Sequence, residues 1–228
     1  MITGKIEKIK MLDGRLVPPV PEYVECDHEN TEIRLVNRDN IINVRKEMLG
    51  IGARSKLVFD GTKYVETDFR PTNNSRIEID FMRTAATSQL FVFGCRSGRT
   101  GSDGFAMACS SVDVYPIFGA AYSSIRNVVP VDVRHTAVIG QDGYFLDGEL
   151  LKSYDNMDFA SELDLYIGGL NQNNSLDSRL FKGEIYSVRL FEDNVLAAEL
   201  MPAIQTNGNI NGFYELCSGR FYPQLTNE

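Results

Sequence analysis

The sequence predicts an all-β chain of antiparallel strands, closed as a sandwich or barrel rather than built from alternating βα units. Three observations carry that prediction. First, strand-length stretches alternate apolar and polar residues, most clearly in SRIEIDF (75–81), where Ile77, Ile79 and Phe81 share one face and Glu78 and Asp80 the other. Second, turn residues recur every ~8–12 positions, the spacing of short strands joined by tight connections. Third, helical periodicity is scarce. Its best instance is NIINVRKEML (40–49), with Ile41, Val44, Met48 and Leu49 at helix-like intervals.

The first fifty residues differ from the rest. Pro18, Pro19 and Pro21 fall within MLDGRLVPPVPEYVE, which suits an extended connector or a sheet edge, because proline cannot donate to a central ladder. A boundary is placed near residue 52, giving an attachment segment over 1–52 and a β domain over 53–228. Within the domain, QLFVFG and FAMACS flank the Gly-rich loop CRSGRTGSDG and read as a hairpin. HTAVIGQDGYFLDGELL (135–151) holds two Asp-Gly pairs, Asp142-Gly143 and Asp147-Gly148, between apolar stretches. Asp-Gly tolerates the positive φ of tight hairpins, so three consecutive antiparallel strands are expected there. LDLYIGGL alternates again, and a polar loop, NQNNSLDSR, leads on to FKGEIYSVRLF (181–191).

That last stretch breaks phase. Phe181, Gly183 and Ile185 share one face, and Tyr186, Val188 and Leu190 the other. Two explanations are open. A β-bulge between Ile185 and Tyr186 would re-aim the later side chains inward. Alternatively the strand is central, with its outer face covered by another element such as the N-terminal segment. Gly183 marks a close approach by a neighbour.

Composition excludes several classes. Of 228 residues, 43% are hydrophobic and 24% charged, as in ordinary globular chains. A net charge of -8 opposes binding to nucleic acid, whose phosphates need a cationic surface. No run of ~18 apolar residues suggests insertion into a membrane, and MITGKIEKIK lacks the apolar core of a signal peptide, so synthesis in a bacterial cytoplasm without export is expected. Cys26, Cys95, Cys109 and Cys217 are scattered without a CxxC, and His28 and His135 are the two histidines. Reduced, packed thiols are expected, and no zinc.

KLVFDGTKYVETDFRPTNNSRIEIDF, with YFLDGELL, LDLYIGGL and FKGEIYSVRLFEDNVLAAELMPA, resembles the concanavalin A-like, laminin G-like jelly-roll domains. The variant it resembles is found in tail and minor structural proteins of phages and prophages. The corresponding pieces are Tyr64-Val65-Glu66-Thr67-Asp68-Phe69, Gly183 with Pro202, and Gly212-Phe213-Tyr214-Glu215 with Phe221-Tyr222. Glu215 stands where the family usually carries Asp. The resemblance covers roughly residues 56–225 and implies a two-sheet antiparallel jelly-roll sandwich. It also implies a non-enzymatic structural or receptor-recognition module of a tail. Its expected partners are a cell-surface glycan, other tail proteins and further copies of itself, with its final location in the virion.

A hydrolase clan on this fold uses a strand motif resembling E-x-D-x-x-E. Glu78 and Asp80 offer the first two acids, at alternate positions of the strand and so projecting together. The acid/base glutamate does not follow, since the chain continues Phe81-Met82-Arg83-Thr84, and retaining hydrolysis then lacks its proton donor. GRTGSDG (98–104) is not a phosphate cradle, because a strand rather than a helix follows it. Its neighbourhood supplies Arg96 and Arg99 for an anionic sugar or a protein partner. Cys26-Asp27-His28 is too sparse for a tetrahedral metal site, and His135 has no nucleophile elbow to serve. Asp155-Asn156-Met157-Asp158 and Asn171-Gln172-Asn173-Asn174 carry oxygen ligands suited to calcium and equally suited to turns. The amides of Asn171 and Asn173 can pair with sugar hydroxyls, while the rings of Tyr122, Tyr144 and Tyr166 can cover a sugar's apolar face or simply pack between sheets.

Overall fold

The computed structural model describes residues 24–26, 33–35, 50–86, 89–98, 102–155 and 157–227. It divides into two compact units, Met1–Val44 and Arg45–Glu228. In the first, β1 (Val24–Cys26) pairs antiparallel with β2 (Ile33–Leu35), Val24 opposite Leu35. The proline run, the helix expected over 40–49, and Asp27 and His28 lie outside the described residues.

The second unit is all-β among its described residues. It begins with β3 (Ile51–Ala53), β4 (Leu57–Asp60), β5 (Lys63–Glu66), β6 (Ser75–Arg83) and β7 (Leu90–Arg96). Then come β8 (Gly104–Ser110), β9 (Asp113–Gly119), β10 (Ala121–Tyr122), β11 (Arg134–Gly140), β12 (Gly143–Leu146) and β13 (Glu149–Lys152). The short β14 (Tyr166–Ile167), β15 (Asn171–Gln172) and β16 (Ser175–Leu176) precede the long β17 (Lys182–Glu192) and β18 (Val195–Gln205). β19 (Ile210–Glu215) and β20 (Phe221–Thr226) complete it.

These strands form two antiparallel sheets. Sheet 1 runs β13-β12-β11-β6-β17; β4 then flanks the first half of β17 and β18 the second, with β3 and β19 paired to β18. Sheet 2 runs β10-β9-β8-β7-β14-β5. β20 belongs to both, since Phe221 to Pro223 pair with β19 while Gln224 to Thr226 pair with β5. The architecture is the jelly-roll sandwich that the sequence resemblance implied.

The two inner faces meet in one core. Phe59 and Phe81 of sheet 1 lie 6.1 and 6.3 Å from the ring of Phe181, which immediately precedes β17. Across from them Phe93, Phe105 and Phe118 form a second row at 5.9 and 6.0 Å. Each such ring removed from water contributes roughly 1.5–3 kcal/mol, which makes this double row the main glue between the sheets. β6 alternates as the sequence predicts, with Ile77, Ile79 and Phe81 buried. The three expected strands over 135–151 are β11, β12 and β13, and the β12–β13 turn is Asp147-Gly148, at φ 50° and 85°.

β17 resolves its phase change by the bulge. Ile185 pairs with Phe81 and Ser187 with Asp80, so Tyr186 is the extra residue. Beyond it Val188 and Leu190 return to the core on which Phe181 and Ile185 already lie. Tyr186 turns outward, where its hydroxyl donates to Glu184 Oε2 at 2.7 Å and the Arg134 guanidinium sits 3.9 Å above its ring. Gly183 is required by contact: a Cβ there would lie 2.3 Å from the Met82 carbonyl oxygen and 2.5 Å from the Phe181 ring.

Candidate functional site

The outer face of sheet 2 carries the most developed cluster of ligand-type side chains. β7 has a register shift between Phe91 and Phe93. Phe93 and Cys95 consequently enter the main core, while Phe91 lies in a second, smaller apolar cluster with Ala106, Ala108, Ile117 and Leu170. Cross-strand register sets Gly94, Ala106, Ile117 and Tyr122 in one row, and Phe91, Ala108 and Tyr115 in the next. The middle of this face is built of small residues and its margin of aromatic ones.

A loop over residues 168–181 closes on itself, the Phe181 N–H donating to the Gly168 carbonyl at 2.9 Å. It has the compactness of an Ω-loop. Gly168 adopts φ +80°, and a Cβ there would lie 2.2 Å from the Phe59 ring, so the loop can leave the core at that residue without a side chain. Leu170 seats the loop on the sheet: a Cβ at Gly94 would lie 2.7 Å from its Cδ1 and 2.5 Å from the Ala106 Cβ. β15 then runs parallel to β7, and Asn173-Asn174, at φ 56° and 59°, turn the chain into β16.

The loop delivers Arg179 to the sheet face. Its Nε and an Nη donate to both Asp177 oxygens at 2.8 and 2.6 Å, and its other Nη donates to Gln89 Oε1 at 3.1 Å. The guanidinium lies 4.7 Å from the Phe91 centroid, and that of Arg96 lies 5.9 Å from the same ring. Hydrogen bonding by Arg179, against the opposing effect of burial, holds the Asp177 carboxyl below the ordinary carboxylate range, and the charge of Arg96 adds to the effect.

Tyr122, 57% exposed, stacks on Tyr115 with ring centres 5.9 Å apart and planes 24° from parallel. Burial of its hydroxyl and the neighbouring Tyr115 raise its pKa, while Gln89, Arg96 and Arg179 pull the other way. An exposed aromatic surface, two guanidinium groups and an amide thus converge on one flat face.

The residues picked from sequence divide accordingly. Arg96 and Tyr122 lie in this cluster, and Asn173 caps the loop beside it. Asn171 is 2% exposed and donates to the Asp164 carbonyl at 3.0 Å, which gives its amide a structural duty. Tyr144 is wholly buried in the main core, with its hydroxyl pKa driven well up by that burial, so its ring packs between the sheets and meets no ligand. Tyr166 is half-buried against Tyr64 at 5.2 Å, beside Glu66. Arg99 lies outside the described residues. Sequence reasoning missed Tyr115, Gln89, Asp177 and Arg179. For Tyr115 a signal existed, since in DVYPIFG it is out of phase with the buried Val114 and Pro116.

The acids weighed for hydrolysis lie on the outer face of sheet 1. Glu78 is bound by Arg189 at 2.5 Å and by Arg76, and Asp80 by Arg134, whose Nε is 2.7 Å away. Both carboxylates are tied to guanidinium groups along the strand. His135 Nδ1 is 2.7 Å from Asp147 Oδ2 and stands beside Phe81. Among the described residues, no three His, Cys, Asp or Glu side chains gather as a metal site.

No family model matches this chain, nor does any curated protein. Solved structures do. The CBM40 of a Ruminococcus gnavus IT-sialidase, bound to α2,3-sialyllactose, aligns with 61% of this chain and 92% of its own at 13% identity and a TM-score of 0.47. Domains LG4-5 of the mouse laminin α1 chain align with 64% of this chain and 44% of their own, at 18% identity and a TM-score of 0.47. A SAP-like pentraxin from Limulus polyphemus aligns with 61% and 74%, at 10% identity and a TM-score of 0.34. At these identities the likeness concerns the path of the chain alone.

Proposed function

We propose that this chain is a non-enzymatic carbohydrate-binding module whose ligand lies across the outer face of sheet 2. The observation that carries the proposal is the exposed Tyr122 ring stacked on Tyr115 and flanked by Arg96 and Arg179. A tyrosine face covers the C–H face of a pyranose, and a guanidinium held in fixed orientation pairs with a carboxylate in bidentate fashion. Asp177 and Gln89 engage three of the five N–H donors of Arg179, orienting it without exhausting it. The favoured ligand is therefore a glycan bearing a carboxylate. The locked Glu78 and Asp80 support a binding rather than a hydrolytic role.

The tail-like motifs at Tyr64 to Phe69 and Gly212 to Tyr222 support a place in a phage or prophage tail. There, several copies would present several faces to a cell surface. An array of carboxylated glycans and their neutral counterparts tests the ligand class. Carboxylated glycans should be retained, and Tyr122→Ala should lose them. An array that is blank for both kinds would remove the proposal, and flanking genes unrelated to virion assembly would remove its tail setting.

A further inference from the structure

A cleft lies away from that face. About 420 Å³ in volume, it opens into the main core between the residues that follow β5, the β17–β18 pair and the β19–β20 turn. Its apolar surface is made by the half-buried Phe69 and Ala198, with Leu190 and Leu200 buried behind them. Its rim carries one carboxylate and one guanidinium, Asp68 and Arg220, which pair with each other. The volume falls within the range of small-molecule sites.

Both rim charges are positioned by one ring. The Tyr222 hydroxyl donates to Asp68 Oδ1 at 2.5 Å, and the Arg220 guanidinium lies 4.7 Å from the Tyr222 centroid. The side chains of Asp68 and Arg220 are 61% and 56% exposed. An ion pair so open to water contributes little to stability, so exchanging the internal partner for a ligand's charge costs little. Glu215 also lines the cleft but does not compete. It is buried, and its oxygens accept the N–H groups of Glu199 at 3.2 Å, Cys217 at 2.7 Å and Ser218. An incoming molecule meets one negative group, one positive group and an apolar surface.

We propose that this cleft binds a small zwitterion of the α-amino acid type with an apolar side chain. The ammonium would sit on Asp68, the carboxylate on Arg220, and the side chain against Phe69 and Ala198. The opposed charges of Asp68 and Arg220 favour a ligand that carries both signs over a neutral one.

Calorimetric titration of the full chain with leucine and phenylalanine tests the inference, run beside N-acetyl-leucine and leucinamide, which each keep one charge. The zwitterions should bind at least tenfold more tightly than either analogue. Asp68→Asn should remove the advantage over N-acetyl-leucine, and Arg220→Gln the advantage over leucinamide. The Tyr122→Ala variant should bind amino acids unchanged, separating this cleft from the glycan face. No heat with leucine or phenylalanine up to about 10 mM, a concentration well past millimolar affinity, overturns the proposal. Equal binding of zwitterions and analogues overturns it as well, since the rim charges would then play no part.

Discussion

The two outer faces of the sandwich are built from similar residue types and do different things with them. On sheet 1 the central charges are paired along the sheet: Arg76 and Arg189 on Glu78, Arg134 on Asp80, Lys56 on Glu184. On sheet 2 the charges stand beside an exposed Tyr122 stacked on the half-buried Tyr115, over small residues, and a loop rather than a strand supplies Arg179. Two acids at alternate positions of a strand are therefore weak evidence of catalysis, because the same spacing builds a ladder of surface ion pairs. An aromatic stack left open to solvent beside oriented guanidinium groups is better evidence of binding.

That contrast can be broken at the loop. Gly168→Ala combines left-handed backbone strain with a clash against Phe59, and should cost about 3 kcal/mol. At roughly 2–4 °C per kcal/mol for a chain of this size, the thermal midpoint should fall by about 10 °C. A smaller effect is expected from Arg179→Ala. It leaves the largely buried Asp177 carboxylate without its bidentate partner, at a cost of about 1–3 kcal/mol in chemical denaturation. Affinity for a carboxylated glycan should drop tenfold or more in the same variant, and an unchanged affinity would move the ligand elsewhere.

The pH dependence sharpens the comparison further. The folded-state pKa of Asp177 is depressed, chiefly by hydrogen bonding to Arg179, so its contribution is fully present above the ordinary aspartate value of about 3.9. It fades as pH falls through the lower folded value. Asp177→Asn should accordingly lose stability relative to the parent at pH 6 and converge on it towards pH 2, as followed by urea midpoints across that range. The smallest effect is expected on sheet 1. Glu78→Gln and Asp80→Asn leave only the more exposed guanidinium groups of Arg76, Arg189 and Arg134 unpaired, so each should change stability by about 1 kcal/mol or less and leave glycan binding unaltered. A change in binding there would erase the distinction between the faces.

What could be seen in the sequence was whatever has a local period. β6 alternates because one side faces the core and the other water, and Asp147-Gly148 advertises its positive φ. The phase change in β17 was visible, and the bulge at Tyr186 was among its two explanations. β7 gave less away. LFVFGC is apolar throughout, because Phe93 faces the main core while Phe91 faces the smaller cluster outside the sheet. Tyr144 and Tyr122 look alike in sequence, and only pairing with Ile139 assigns Tyr144 to the interior. Arg179 was invisible, because its place depends on a loop whose path follows from Gly168 and Leu170 and from no repeat. The partition of β20 between two sheets is likewise a long-range fact.

That shared strand has a consequence for the order in which the molecule can be made. β5 emerges early during synthesis, yet Val65, Tyr64 and Lys63 find partners on one edge in Gln224, Leu225 and Thr226, some 160 residues later. β4 likewise waits for β17, with Leu57 opposite Ile185. Loop closures of that length make formation slow and leave early strand edges open in the meantime. The nascent chain therefore carries unpaired edges until translation has passed residue 226, and removing β20 should trap it in that aggregation-prone condition.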